Sequence, residues 1–309
     1  MKFGVKILDN VNITHFTHIV ATVAKLCAKS ANDKSCLLKL TDESFYFILP
    51  EFSSSSTSNA TGRTSFWISV DPKILFEFCI CEGKTPDEHM LLLEIQPESL
   101  LRALKSSPNI KMIRIKLTKR QSTCLTIELE LHSMTSKTNS RTITHDIPIR
   151  ILSKVESNNF QEPDVNRTNL SIEMPQLKLF KHMIERMKCL SEYVYLEATN
   201  QGSLTLKIEA DAVSVCSYFR NLINLPIKST SNDQSQEEEM IEDEENDDDN
   251  QIKTSSVRLN LKKLSEFING LQFQPTKIIC NFANRKYAHF FVIHEDDLVL
   301  QYLISSVLS

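Results

Sequence analysis

The sequence predicts an α+β protein made of two similar halves, and three observations support this. Each half of the 309 residues opens with an alternating strand that runs into a two-faced helix. The stretch LEIQPESLLRALKSSPNIKMIRIKLT from Leu93 is echoed by VRLNLKKLSEFINGLQFQPTKIICNF from Val257. Much of the rest alternates apolar and polar residues with period two, as half-buried strands do. A repeat of this kind indicates two alike sheet-and-helix units.

The first half begins with a strand containing Phe3, Val5 and Ile7, followed by a helix over residues 12–29. Apolar residues recur in this helix at spacings of three and four and predict its buried face: Ile13, Phe16, Val20, Val23 and Cys27. The opposite stripe holds His18, Thr22, Lys25 and Lys29. A second helix opens at Pro97, a residue favoured at the first helical position. It is expected to bury Leu100, Leu101 and Leu104 and to expose Glu98, Arg102 and Lys105.

The second half begins in the same way with Leu170, Ile172 and Met174, followed by a helix over residues 176–190. Its apolar face is predicted to comprise Leu177, Phe180, Ile184 and Met187. Its outer face places three lysines around Glu185: Lys178, Lys181 and Lys188. The last helix is expected to bury Leu264, Phe267 and Ile268 and to expose Lys262, Glu266 and Asn269. All four helices thus present a basic or mixed outer stripe.

Three polar segments interrupt the strands and helices. Residues 53–65 are rich in Ser and Thr, and residues 229–253 form a like-charge acidic block that is expected to stay solvated. Residues 152–169 lose hydrophobic periodicity and contain Pro163, as a linker does. The sequence therefore predicts a first domain over 1–151, a linker over 152–169 and a second domain over 170–309.

The charge distribution favours a polyanionic partner. The formal net charge is −4, but residues 229–251 contain eleven acids and no Lys or Arg. The other 28 acids against 35 Lys and Arg leave an excess of +7. An excess of this sign is typical of proteins that meet nucleic acid, although bland surfaces also carry it. The eight scattered cysteines and the lack of a long apolar run predict a soluble, intracellular protein with reduced thiols and no membrane contact.

The sequence contains no recognisable catalytic motif. Five glycines in all leave no glycine-rich loop for phosphate or a dinucleotide, and neither GxSxG, HExxH nor CxxC occurs. Cys79 and Cys81 share a strand face but lack a second ligand pair at zinc spacing. His145 beside Asp146 suits a strand, and the run from His294 to Asp297 suits a turn. We therefore predict no catalytic residue, metal or cofactor, with an enzyme of unrecognised site left as an alternative.

Several short segments carry a resemblance to a known family. They include MKFGVKILD, HFTHIVATVAKL, LLRALKSS, CLTIELEL, RTITHDIPIRIL, SLTLKIEA and LVLQYLISSVLS, and they span the chain in order. Together they resemble the Hus subunits of the nine-one-one DNA-damage checkpoint clamp. This resemblance implies two sliding-clamp domains, related to proliferating cell nuclear antigen, with curved antiparallel sheets outside and helices lining an inner hole. The two polar loops depart from the family pattern, so no role is carried over to them.

The resemblance also implies a function and a DNA-facing surface. The subunit would join two sibling Rad-type subunits in a closed ring that a replication-factor-C-like loader places around double-stranded DNA. Contacts with phosphates would then be independent of base sequence and would weaken with salt. The basic residues on the helix stripes become the candidate channel residues: Lys25, Lys29, Arg102, Lys105, Lys178, Lys181, Lys188 and Lys262.

Two further sites follow from position in the clamp fold. The strands over residues 143–149 and 213–219 would lie at the ends of the subunit and extend the neighbours' sheets. Their candidate edge residues are Ile143, Ile147, Ile149, Val213, Val215 and Phe219. Client peptides of repair and signalling proteins would enter an apolar pocket under the linker. Its candidate residues, which could equally be ordinary core, are Ile151, Leu152, Pro275, Tyr302, Leu303 and Ile304.

Nuclear location rests on the same resemblance, since the chain shows no convincing import signal. Two alternatives from other classes stay open at this stage. The chain could form a homotrimeric processivity clamp, or it could act as a DNA-independent scaffold that uses its acidic segment to bind basic partners.

Overall fold

A computed structural model describes residues 2–28, 34–41, 43–49, 64–82, 90–119, 122–132, 141–153, 156, 160, 162, 168–210, 213–225, 252–295 and 298–307. Most of residues 53–65, the linker and the acidic segment lie outside these ranges. The channel candidate Lys29 lies outside them too. None of the helices in the described ranges is both long and apolar enough to cross a bilayer.

In its described ranges, the first half supplies three helices and ten strands. The helices are α1 (Asn10–Ala28), α2 (Pro72–Leu75) and α3 (Pro97–Leu104). The strands are β1 (Lys2–Ile7), β2 (Cys36–Thr41), β3 (Phe45–Leu49), β4 (Thr64–Val70), β5 (Phe78–Glu82), β6 (Met90–Ile95), β7 (Ile110–Lys119), β8 (Thr123–Leu131), β9 (Arg141–Pro148) and β10 (Arg150–Ile151).

The second half supplies two helices and eight strands in its described ranges. The helices are α4 (Leu177–Met187) and α5 (Leu261–Gly270). The strands are β11 (Leu170–Glu173), β12 (Tyr193–Thr199), β13 (Ser203–Ala210), β14 (Val213–Phe219), β15 (Thr254–Asn260), β16 (Lys277–Ala283), β17 (Tyr287–His294) and β18 (Leu298–Ser305).

The strands in the described part of the chain form three antiparallel sheets. A five-stranded sheet has the order β5-β1-β7-β8-β9, and a four-stranded sheet has the order β14-β13-β12-β15. Between them, a nine-stranded sheet runs β10-β6-β2-β3-β4-β18-β17-β16-β11 and draws strands from both halves. Helices that pack on antiparallel sheets give the predicted α+β class.

The two halves are joined by main-chain pairing. Strand β4 of the first half pairs with β18 of the second, and Phe66 lies opposite Tyr302 in this register. One buried cluster of apolar side chains consequently extends through both halves. The shared sheet thus makes the apolar cores of the two halves continuous.

Helix boundaries differ from the sequence prediction by a few residues. Helix α1 begins at Asn10, two residues early, since the Ile13 N–H already donates to the Asp9 carbonyl at 2.9 Å. Helix α4 ends at Met187, because Cys189 and Leu190 bond to carbonyls three residues back and close a tight turn. The short helix α2 was not predicted. Its signal is Asp71 before Pro72, where the Asp71 carboxylate accepts from the Lys73 N–H at 2.8 Å.

Candidate nucleic-acid interface

The four longer helices form one continuous layer. Helix α3 packs beside α1, α1 beside α5, and α5 beside α4, so the order across the layer is α3-α1-α5-α4. Their apolar sides face the sheets: α1 contacts β7, and α5 contacts β15 and β18. The predicted apolar residues of α1 are all buried, as are Leu264, Phe267 and Ile268 of α5. The layer therefore leaves a single outer surface, made by the helix stripes that face away from the sheets.

The centre of the layer is the joint between α1 and α5. Thr22 Oγ1 accepts a hydrogen bond from the Gln272 N–H at 3.0 Å and donates to the His18 carbonyl at 2.9 Å. Gly270, at the end of α5, packs on Leu26 so closely that a Cβ there would lie 2.5 Å from Leu26 Cδ2. Thr22 is thus fully buried, and its assignment to the exposed stripe was wrong because α5 covers it.

Cationic side chains dominate the exposed surface of the layer. Among the described candidates for the channel, all are exposed: Lys25, Arg102, Lys105, Lys178, Lys181, Lys188 and Lys262. Acidic residues on the stripes are fewer and are mostly engaged. Glu185 pairs with Lys188 at 2.8 Å, and Glu266 lies 3.6 Å from Lys263. The surface therefore has a positive excess, which suits a polyanion.

Helix α4 carries more positive charge than the sequence reading assigned. Its buried residues are Phe180, Ile184 and Met187. Arg186 and His182 are exposed and lie, by helical periodicity, on the side opposite these residues, together with Lys178. Lys181 and Lys188 lie nearer the border with α5. Arg186 and His182 were missed, although their spacing of four residues from each other and from Lys178 was a readable signal.

A polar cluster ties α4 to α5 beneath this surface. Glu185 accepts from Ser265 Oγ and Asn269 Nδ2, each at 2.7 Å, and pairs with Lys188 Nζ at 2.8 Å. Hydrogen bonding by Lys188, then by Ser265 and Asn269, lowers the pKa of the Glu185 carboxyl to about 2. Lys188 also reaches Ser265 at 3.3 Å. The positive charge of Lys188 is thereby partly compensated within the layer, so Lys188 attracts an anionic ligand less strongly than Lys178 does.

Two sheet edges have no neighbouring strand among the described residues. Strand β9 is the outer strand of the five-stranded sheet, and β14 is the outer strand of the four-stranded sheet. The other edges of these sheets, β5 and β15, lie against β6 and β16. On β9, Ile147 is buried and Ile143 is half-buried, while Ile149 follows the end of the strand. On β14, Val215 and Phe219 are half-buried and Val213 is exposed.

Comparison with known proteins identifies the family of this chain. The family model described as "Hus1-like protein" matches residues 1–308. The human "Checkpoint protein HUS1" is 36% identical over 307 residues, which cover 99% of this chain and 100% of the human protein. The chain belongs to the Hus1-like protein family.

More distant relatives agree with this membership. The "Checkpoint protein Hus1-like" of Drosophila melanogaster is 23% identical over 309 residues and is covered to 99%, as is this chain. The "Checkpoint protein hus1" of Schizosaccharomyces pombe is 24% identical over 225 residues, which are 72% of this chain and 71% of that protein.

Solved structures show that the fold is that of the sliding clamps. The PCNA of Thermococcus kodakaraensis superposes with a TM-score of 0.65 at 14% identity, over 98% of this chain and 99% of that one. The proliferating cellular nuclear antigen of Entamoeba histolytica superposes with a TM-score of 0.64 at 12% identity, over 99% of each chain. The clamp fold predicted from the resemblance is thereby confirmed.

The residues expected to line the client pocket lie in different environments in this Hus1-like chain. Tyr302 and Ile304 are buried in the main core, where Tyr302 stacks on Phe267 of α5 with 4.5 Å between ring centroids. Leu303 points to the opposite face of the sheet, because neighbouring strand residues alternate. Tyr302 and Ile304 are therefore core residues, the alternative that the sequence analysis left open for them. Pro275 is half-buried on the connection from α5 to β16, and Ile151 is half-buried on β10.

Leu152 and neighbouring linker residues instead cover the outer face of the nine-stranded sheet. Leu152 belongs to a small apolar cluster with Leu37, Ile48, Trp67 and Leu92, against which Phe160 also packs. Beside it, Gln301 Nε2 donates to Glu162, and Gln301 Oε1 lies 3.1 Å from His289 Nε2. Burial lowers the pKa of His289 to about 4, although its hydrogen bond to Gln301 opposes this shift, so His289 is neutral at physiological pH.

Proposed function

We propose that this chain is a non-catalytic subunit of a heterotrimeric ring that encircles double-stranded DNA and serves as a platform for checkpoint signalling and repair factors. The observation that carries the proposal is the continuous layer α3-α1-α5-α4 with its exposed basic stripes. Membership of the Hus1-like family and the clamp fold support it.

The helix layer accounts for DNA binding without sequence specificity. The side chains of Lys25, Lys178, Lys181 and Arg186 would attract phosphates and release counterions. This electrostatic contribution to affinity weakens as the salt concentration rises. No strand or helix end needs to enter a groove, so base edges go unread. Retention would come from ring closure, and loose contacts would leave the ring free to slide.

The open edges β9 and β14 account for assembly. Unpaired edge strands invite aggregation unless a partner covers them, and β-strand addition by a neighbour covers them with main-chain hydrogen bonds. In the proposed ring, each edge extends the sheet of one sibling Rad-type subunit. The loader in this proposal is replication-factor-C-like, and the compartment is the nucleus.

We also propose the division into domains at residues 1–151 and 170–309, with the linker over 152–169. The shared nine-stranded sheet means that these domains would not unfold independently. Client proteins would bind outside the helix layer, since that layer faces the DNA.

Composition and mass of the purified assembly test this proposal. The full chain is co-expressed with its two sibling subunits, and the complex is measured by size-exclusion chromatography with light scattering. We expect one copy of each subunit, and retention on circular DNA that linearisation abolishes. A stable trimer of this chain alone would instead support the homotrimeric clamp. Equal retention on circular and linear DNA would contradict encirclement.

A further inference from the structure

The outer face of the five-stranded sheet holds a groove that the ring function does not use. The groove encloses about 420 Å³ and is lined by Lys2, Gly4, Lys6, Phe78, Ile80 and Arg114, among others. Pockets for ligands commonly have volumes of roughly 300–1,000 Å³. The helices α1 and α3 cover the other face of this sheet, so the groove opens away from the proposed DNA channel.

Gly4 is the unexpected residue in this groove. It lies inside β1, paired with Ile80 of β5 and Lys116 of β7 in an unbroken register. Its φ is not positive, and a Cβ built on it meets no atom within 4 Å. Neither a bulge, a turn nor a crowded neighbour therefore requires glycine. A glycine inside a strand weakens it and commonly marks a place where a ligand or another backbone approaches closely.

The apolar surface around Gly4 is unusually open. Phe78 is 52% exposed, and Ile80 is half-buried beside it. Both side chains lie on the outer face of the sheet. On that face, Gly4 lies between its cross-strand neighbours Ile80 of β5 and Lys116 of β7. A large exposed aromatic ring next to a gap in the side-chain layer provides a site for an apolar side chain of a partner.

The rim of the groove is positively charged. Lys2 lies 3.6 Å from Glu82, and Arg114 lies 3.5 Å from Glu128, which also pairs with Lys116. Lys6 has no carboxylate within 4 Å among the described residues. Four cations therefore face two carboxylates, and the rim keeps a positive excess.

We propose that this groove binds an extended acidic segment of a partner protein, which places an aliphatic or aromatic side chain over Gly4. The apolar side chain fills the gap left by the missing Cβ and contacts Phe78 and Ile80. Flanking carboxylates pair with Lys6 and with the rim cations that share Glu128. The partner chemistry follows from the apolar floor and the basic rim together.

Fluorescence anisotropy tests the proposal on the full chain in its assembled complex. The probes are labelled acidic octapeptides of sequence Glu-Asp-Glu-X-X-Glu-Asp-Glu, in which X-X is paired Leu, Ile, Met, Phe, Tyr or Trp. A peptide with X-X as Ser-Ser has the same charge and is the reference. We expect at least one apolar peptide to bind about tenfold more tightly than the reference. Equal binding of all of them up to about 1 mM would overturn the proposal.

Two variants assign the binding to this groove. Gly4→Val fills the gap, and we expect about a tenfold loss of affinity with no loss of thermal stability, because valine suits a strand better than glycine. Lys6→Glu should lower affinity severalfold, whereas Lys286→Glu, the same charge change on an exposed turn, should not. Unchanged binding by Gly4→Val would overturn the proposal. So would tenfold tighter binding after deletion of residues 231–251, since the occupant would then be this chain's own acidic segment.

Discussion

Thr22 Oγ1 in the first helix accepts a hydrogen bond from the main-chain N–H of Gln272, 250 positions further along the chain, at 3.0 Å. Both groups are at the joint between α1 and α5, and Thr22 is fully buried. One hydroxyl thus connects the two halves at the centre of the helix layer.

We expect Thr22→Val to destabilise the protein by about 1–3 kcal/mol, because the Gln272 N–H loses its partner in a buried place. Urea denaturation followed by circular dichroism measures the change. Thr17→Val is the matched control, since Thr17 Oγ1 donates only to the Ile13 carbonyl of its own helix at 2.7 Å. If Thr17→Val destabilised the protein as much as Thr22→Val, the link between the halves would contribute no more stability than a hydrogen bond within one helix.

Gly270→Ala should also destabilise the joint, although alanine is the better helix former by about 1 kcal/mol. The added Cβ would lie 2.5 Å from Leu26 Cδ2, and overpacking of this kind costs about 1–3 kcal/mol. Combining it with Leu26→Ala removes the clash, so the double-mutant cycle should give a favourable coupling. Strict additivity of the two changes would argue against the packing seen here.

Stability should depend on pH through Glu185. The folded protein holds its pKa at about 2, below the usual 4.5, so its stabilisation is present above about pH 4.5 and is lost as pH falls through 2. Glu185→Gln should lower the melting temperature at pH 7, and the difference from wild type should vanish near pH 2. Glu98→Gln, on the exposed stripe of α3, is the control. A difference that persists unchanged at pH 2 would exclude the carboxylate as its source.

Charge reversal in the helix layer should weaken DNA retention. We expect Lys25→Glu combined with Lys178→Glu and Lys181→Glu to shorten the lifetime of the ring on circular DNA at least tenfold, because phosphate contacts become repulsive. Arg186→Glu added to this set should shorten it further. Single-molecule imaging at several salt concentrations provides the lifetimes.

The control for this experiment reverses three exposed lysines outside the helix layer: Lys73, Lys253 and Lys286. The net charge then changes equally in both proteins. Equal losses in the two triple variants would mean that overall charge, and not the layer, governs retention.

Assembly should be sensitive to charge on the β14 edge. Val213 is 50% exposed and Tyr218 is 65% exposed, so Val213→Glu with Tyr218→Glu should leave the fold of the chain intact. In the proposed ring these side chains lie at a subunit contact, and we expect the complex to dissociate on size-exclusion chromatography. Ile252→Glu, at a site with 59% exposure away from the edge, should leave it whole. Assembly by the β14 variant would place the contact elsewhere.

Much of the local structure was readable from periodicity. The predicted apolar residues of α1 are all buried, and so are those of α5, because a helix with an apolar stripe has one way to face a sheet. Helix ends were less predictable, since capping bonds such as that of Asp71 depend on backbone angles. The same approach failed for Thr22, whose polar side chain is buried only because a distant helix covers it.

The candidate site was predictable in part. Spacing identified Lys178 and Lys181 but missed Arg186 and His182, because the true direction of the α4 stripe depends on where α5 packs. For Tyr302 and Ile304, the resemblance gave their place in the chain but not the side of the sheet on which they lie.

Short-range patterns in this chain specify its strands, its helix faces and its family, because alternation, helical spacing and motif order are properties of neighbouring residues. Contacts between residues far apart in sequence specify the rest. The pairing of β4 with β18 merges two cores, the packing of Gly270 on Leu26 aligns the helix layer, and the three strands around Gly4 create a groove that none of them contains alone. Such relations arise from packing and register, which no local pattern encodes.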